Sequence, residues 1–192
     1  FVWDDDDYVL ENQTLRTADG LRQIWFDIHA TPQYYPLVHT TFWIEYHLWG
    51  VNPVGYHVVN VLLHATSALL LWTVLARLRV PGAWFAAAIF AIHPVHVESV
   101  AWITERKNVL SGVFYLLATL ACIRFFGLDA ANTAGVRQWK TYVVAMLLFV
   151  CALLSKTVTC SLPVAILILL WWRRERLGQL PISAWLSGRR PG

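Results

Sequence analysis

Between two of the most apolar stretches of the chain, about 83–92 and 109–126, lies a dense polar run at 93–108 that holds His93, His96, Glu98, Ser99, Thr104, Glu105, Arg106, Lys107 and Asn108. A charged side chain at the centre of a bilayer costs from about 2.5 to more than ~10 kcal/mol, so such residues line a cavity, pair with one another or mark a substrate path. A chain built this way must either bring the run to a membrane surface or enclose it. We read the run as the polar floor of a membrane-embedded active site.

The rest of the composition agrees with a membrane class. Hydrophobic residues make up 57% of the chain and charged residues only 14%, against about 25% charged in ordinary soluble domains. A net charge of +3 supplies no basic field for a nucleic-acid partner, and no nucleic-acid-binding motif is present. Cys122, Cys151 and Cys160 all sit in apolar runs, where thiols behave as small hydrophobes.

The expected fold class is all-α, a polytopic transmembrane helical bundle. Residues 1–55 form an extracytoplasmic loop, too often interrupted by acidic residues and by Pro32 and Pro36 to span. Within it, 37–49 carries apolar residues at helical intervals with Trp43, Tyr46 and Trp49, which suits an interfacial helix bordered by the lipid bilayer. Residues 56–172 hold about five membrane-spanning segments: 57–78, a segment from 83 into the polar run that Pro94 kinks or breaks, 109–126, 142–154 and 158–172. Residues 173–192 make a cytoplasmic tail or connector. A preceding span and further sequence beyond residue 192 are expected.

Alternating these spans puts Arg77, Arg79, Arg124, Arg137, Lys140, Arg173, Arg174 and Arg176 on one side with only Asp129 and Glu175. By the positive-inside rule that side is cytoplasmic. The remaining acidic residues, the polar run and Lys156 all fall on the outer face.

Three outer bases, Arg106, Lys107 and Lys156, break the pattern. A phosphate headgroup is one sufficient reason, since Arg offers a planar fork and Lys a compact charge; pairing with Glu98 and Glu105, or snorkelling to lipid phosphates, is the other. The run Asp4-Asp5-Asp6-Asp7 either forms a solvated loop or supplies a general base or divalent-metal ligands, because adjacent carboxylates raise one another's pKa. His93 and His96 with Glu98 invite a metal reading, but no third ligand follows at zinc-like spacing, and an orienting or structural role is commoner. If the chain is helical after Pro94, Ser99, Trp102 and Arg106 share a face at which a sugar ring or isoprenoid phosphate stacks on Trp102, or at which Trp102 merely packs.

These residues also carry a resemblance. Phe1-Val2-Trp3-Asp4-Asp5, Gly50-Val51-Asn52-Pro53 with His57, Asn60-Val61-Leu62-Leu63-His64, His93-Pro94-Val95-His96-Val97-Glu98-Ser99-Val100-Ala101-Trp102, Glu105-Arg106-Lys107-Asn108-Val109-Leu110-Ser111 and Ser155-Lys156 ahead of Leu162-Pro163 resemble the membrane portion of tetratricopeptide-repeat-containing glycosyltransferases. Those are bacterial relatives of the transmembrane O-mannosyltransferases within the GT-C superfamily. The resemblance covers nearly the whole chain. It implies a polytopic glycosyltransferase that takes its sugar, mannose, from a polyprenyl-phosphate donor and transfers it to a hydroxyl of an acceptor protein on the outer face. The membrane is the bacterial inner membrane, or the endoplasmic reticulum in a eukaryote.

Carried over by position, Asp4 and Asp5 match the family's acidic pair, and Arg106 matches a base near the carrier phosphate. The expected roles are then Asp4 or Asp5 as catalytic base, Arg106, Lys107 and Lys156 on the lipid phosphate, and His93, His96, Glu98 and Trp102 as orienting residues. A divalent metal at Asp4 and Asp5 stays open, as does inverting or retaining stereochemistry. Two rivals are a transporter or flippase for lipid-linked sugars and a non-catalytic membrane anchor for a repeat domain. The near absence of ionisable groups from the cytoplasmic halves of the spans argues against an alternating-access path.

Overall fold

A computed structural model describes residues 5–128 and 138–176, apart from the side chains of 173–176. Residues 129–137 and 177–192, with Asp129 and Arg137 of the charges expected on the cytoplasmic side, lie outside the described residues. The chain divides into two units, Phe1–Cys160 and Ser161–Gly192, and all regular structure among the described residues is helical. Ten of the helical elements precede Ser155, and the polar run sits among them.

The N-terminal segment is a folded layer built from helices. A short π-helical turn, Asp6–Leu10, leads to the Asn12 corner, where the side-chain carbonyl accepts from the Thr14 main chain at 3.0 Å and from its hydroxyl at 2.6 Å. Helix α1 (Ala18–Phe26) is capped by Thr17, whose Oγ1 accepts from the Gly20 N–H at 3.1 Å. Helix α2 (Pro36–Trp49) begins on a proline, which is preorganised for a first helical turn, and stops at Gly50 with φ 61°. It corresponds to the expected interfacial helix, but it buries Val38, His39, Phe42 and Glu45 against the rest of the unit.

Helix α3 (Pro53–Arg77) is capped by Asn52 and starts with a proline at its first position. It closes with Arg79 in the left-handed region at φ 55°, Val80 N–H donating to the Leu75 carbonyl at 3.0 Å and Arg79 N–H to that of Ala76 at 3.0 Å. These two bonds are the Schellman closure of a helix C-terminus. Helix α4 (Ala83–Ile92) ends because a residue before proline is pushed out of the helical region, and His93 is extended at ψ 129°. A 3-10 turn, Pro94–His96, and the short helix α5 (Val97–Ala101) follow at a bend of 51° to α4. Helix α6 (Arg106–Phe125) begins after a turn at 102–105, and α7 (Trp139–Ser155) packs most extensively against it.

By length and composition α3 and α6 are apolar enough to cross a membrane, and the bent pair Ala83–Ile92 and Pro94–Ala101 makes a third candidate. The fourth and fifth expected spans are the shorter apolar helices Trp139–Ser155 and Thr157–Trp172. The most apolar window of α6 is 44% buried and that of α3 only 22%, so α6 is the inner helix. Where α3 and α6 cross, Ser67 and Gly112 face one another: a Cβ on Gly112 would sit 3.6 Å from Ser67 Oγ. Small residues at such crossings let membrane helices approach closely. Val58, Leu62 and Leu69 of α3 and Val143, Leu147 and Val150 of α7 are exposed, the faces that lipid would cover.

The core lies where the N-terminal layer meets α3 and α6. Tyr8, Val9, Leu15, Ile24, Val38 and Phe42 from the N-terminal layer pack with Tyr56, Ile103 and Leu110. The layer is pinned by Trp25 Nε1 donating to Thr40 Oγ1 at 3.1 Å and Trp43 Nε1 donating to the Thr17 carbonyl at 2.9 Å. His39 is fully buried here, stacked on Tyr8 at 5.3 Å and edge-on to Phe42, and neither ring nitrogen has a partner in hydrogen-bond geometry.

Two outcomes follow from this packing. A Cβ on Gly20 would lie 1.7 Å from the Thr14 carbonyl oxygen, so Gly20→Ala is expected to destabilise the unit by about 2 kcal/mol or more, read as a lower thermal midpoint in detergent. Burial lowers the His39 pKa from 6.5 to about 4, and the Gln33 main chain offsets this only in part. The neutral ring's contribution is therefore complete above about pH 6.5, where the unfolded ring is neutral too, and is lost as pH falls toward 4. Stability rises with pH across that window by about 3 kcal/mol. His39→Phe is expected to flatten this dependence in unfolding curves taken from pH 7 to 4.5.

Candidate functional site

Arg106, the first residue of α6, is wholly buried. Burying a guanidinium is tolerable only when its donors are met, and two helices meet them. From α3, Asn60 Oδ1 accepts from Nε at 2.7 Å and the Tyr56 carbonyl accepts from Nη2 at 2.8 Å. From α2, Glu45 forms a buried ion pair with Nη1, Thr41 Oγ1 accepts from the same nitrogen at 3.4 Å, and the Phe42 ring lies under Cζ at 4.9 Å. Burial raises the Glu45 carboxyl pKa, and the charge and hydrogen bond of Arg106 oppose that rise.

Asn60 joins this knot to the break in the bent span. Its Nδ2 donates to the Trp102 carbonyl at 2.9 Å and to that of Val100 at 3.4 Å, so the end of α5 is held against α3. The turn at 102–105 also ends the helix between Ser99 and Arg106. Ser99, Trp102 and Arg106 consequently do not share one helical face, which corrects the geometry expected for a continuous helix after Pro94. Trp102 is half-buried and enters the site through its main chain.

The acidic segment reaches the same place. Asp5 is fully buried and its Oδ1 accepts from the Thr104 N–H at 2.9 Å, a contact across nearly a hundred residues. Asp6 and Asp7 are exposed; Asp4 lies outside the described residues. Lys107 stands 5.9 Å over the Tyr8 ring, pairs with Glu105 at 3.0 Å and reaches Gln33 Oε1 at 3.4 Å. Lys156, following α7, donates to Asn108 Oδ1, while Asn108 Nδ2 donates to Ser99 Oγ at 3.0 Å and to Glu105 Oε2. Asp5, Lys107 and Lys156 thus gather around the first turn of α6.

His93 and His96 gather elsewhere. His96 lies 5.2 Å from His64 and 4.3 Å from Phe90 between ring centroids, and His93 lies 6.4 Å from His96. His93 Nδ1 accepts from the Val95 N–H at 3.2 Å, and a His64 ring nitrogen contacts the Ala91 carbonyl at 3.1 Å. These rings brace the bend. Glu98 is exposed and makes no ion pair among the described residues. No group of three or more His, Cys, Asp or Glu poised to hold a metal occurs among the described residues, and Asp4 is not among them.

Reading the sequence missed Thr41, Glu45 and Asn60. Asn60 was detectable, as the one amide inside Val58-Val59-Asn60-Val61-Leu62; Glu45 sat in an aromatic helix taken as interfacial. Chemically, the arrangement offers a buried guanidinium knot behind, two ammonium groups in front, and a carboxylate alongside.

Removing one partner of a buried ion pair costs about 3–5 kcal/mol because it leaves a bare charge. Glu45→Leu and Arg106→Met are each expected to lower the unfolding free energy in detergent by about that much. The double variant should lose less than the sum, a coupling measured by a double-mutant cycle.

No protein-family model matches the chain, and no solved structure matches it. Among curated proteins it is 34% identical over 168 residues to protein O-mannosyl-transferase Tmtc1 of Drosophila melanogaster, a match covering 81% of this chain and 18% of that protein. It is 30% identical over 174 residues to protein O-mannosyl-transferase TMTC4 of Mus musculus, covering 78% and 23%, and 32% identical over 169 residues to protein O-mannosyl-transferase TMTC2 of Homo sapiens, covering 81% and 20%. The chain spans about a fifth of the length of the curated relatives it matches. With apolar helices fit to cross a bilayer and this homology along most of its length, the chain is part of an integral membrane protein and belongs to the TMTC protein O-mannosyl-transferase family of the GT-C superfamily.

Proposed function

We propose that the full protein transfers mannose from a polyprenyl-phosphate carrier to a hydroxyl of an acceptor protein on the outer face of its membrane. That face is the lumen for an endoplasmic reticulum protein and the periplasm for a bacterial inner-membrane one. The observation that carries the reading is the hydrogen bond from Thr104 to Asp5, which sets the acidic N-terminal segment beside Lys107. A transfer of this kind needs a carboxylate near the acceptor hydroxyl and fixed positive charge near the departing phosphate.

In this mechanism Lys107 and Lys156 receive the lipid phosphate, both on the first turn of α6 or against it. Their charge is worth most where water is thin and the groups are already oriented. Arg106, expected from sequence as a phosphate ligand, has each of its nitrogens engaged within the protein, so its part is to hold α2, α3 and α6 together behind the lysines. Asp4 or Asp5 takes the acceptor proton. His93 and His96 keep the bend, and with Glu98 and Trp102 they orient the donor. Residues 1–192 would be a fragment of one GT-C-like membrane domain of the enzyme.

General-base catalysis typically contributes 10²–10⁴-fold. Asp5→Asn, which keeps shape and hydrogen-bond capacity, is expected to lower mannosyl transfer from radiolabelled polyprenyl-phosphate mannose by about 100-fold or more, with membrane insertion intact. Turnover retained in Asp5→Asn and in Asp4→Asn would remove the acidic pair from the mechanism.

A further inference from the structure

Lys156 ends α7 in an extended conformation, φ −163°, and its ammonium meets a neutral group, Asn108 Oδ1. It forms no ion pair among the described residues. By contrast, the charge of Lys107 is matched by Glu105 at 3.0 Å. Of the two lysines, Lys156 therefore has the uncancelled charge.

The amide that holds it is itself fixed on every side. Asn108 Nδ2 gives one hydrogen to Ser99 Oγ at 3.0 Å and the other to Glu105 Oε2. An amide has two donors and one carbonyl. Turned over, it would set N–H against the Lys156 ammonium and oxygen against the Glu105 carboxylate, so the neighbours dictate its orientation. Through it the bent span, the first turn of α6 and the end of α7 share one polar link.

We propose that Asn108 is a positioning and specificity-determining residue for the phosphate of a polyprenyl-phosphate donor, a reading that rests on the donor named above: its neutral amide aims the Lys156 ammonium without cancelling its charge. An aspartate here would have nearly the same shape. It would neutralise Lys156, however, and it would face Glu105 with a second negative charge. The cluster of Glu105, Lys107 and Lys156 has one net positive charge beside Asn108 and would have none beside an aspartate.

The test is binding of polyprenyl phosphate to the full-length protein in nanodiscs of zwitterionic lipid, with Asn108→Asp, Asn108→Ala, Lys156→Ala and the double variant Asn108→Asp with Lys156→Ala. Asn108→Asp is expected to weaken binding about tenfold and to flatten its salt dependence, with the thermal midpoint unchanged. Asn108→Ala should weaken binding also, and Asn108→Asp should add nothing once Lys156 is gone. Wild-type affinity in Asn108→Asp, or an equal loss in the Lys156→Ala background, overturns the proposal. Phosphatidic acid competing at equal concentration overturns it in favour of an ordinary lipid headgroup. Asn108-dependent binding without mannosyl transfer by the wild type removes the transferase reading and leaves the site; transfer with an unchanged donor KM in Asn108→Asp removes the site and leaves the transferase.

Discussion

The structure depends on one buried cation. Arg106 sits at zero exposure at the head of the inner helix, and a bare guanidinium there would be prohibitive. Its requirements draw in Glu45 and Thr41 from α2 and Asn60 and the Tyr56 carbonyl from α3. Each of those groups would be equally out of place alone. Because the knot ties α6 to α2 and α3, the N-terminal layer cannot drift from the membrane helices it packs on. The apolar core of Phe42, Tyr56, Ile103 and Leu110 closes around the same point.

With that anchor in place, the mobile parts of the chemistry need not be structural. Lys107 and Lys156 are long, partly exposed side chains, and in the proposed mechanism it is they that meet the phosphate. Asp5 comes from the far end of the sequence and is held by a main-chain N–H in the 102–105 turn. That turn exists because α5 ends at Ala101, and α5 exists as a separate piece because Pro94 breaks the span. The proline thus determines where the site can be, through a chain of local consequences.

How much of this was legible follows from the kind of signal each residue left. Long apolar runs announced α3 and α6, and Pro94 announced the bend. That Asp5, Lys107 and Lys156 would lie near one another was legible from charge counted by side, a quantity that needs no coordinates. What sequence does not reveal is which cation is consumed internally. Arg106 and Lys107 are adjacent and equally basic, yet successive residues on a helix point about 100° apart, so one turns into the core and its neighbour to the surface. The rest of the N-terminal layer, ahead of α2, was hidden for a different reason: its polar and aromatic residues pair across segments, as Thr17 does with Trp43, and no local periodicity records that.

The central claim is that the first turn of α6, with Lys156 beside it, receives a lipid-borne phosphate. The most direct measurement is an electron cryo-microscopy map of the full-length protein with polyprenyl phosphate bound. The account predicts phosphate density within about 3 Å of the Lys107 and Lys156 ammonium groups, with Arg106 still paired to Glu45 behind them. Phosphate bound away from both lysines, or coordinated by an Arg106 released from Glu45, would contradict it.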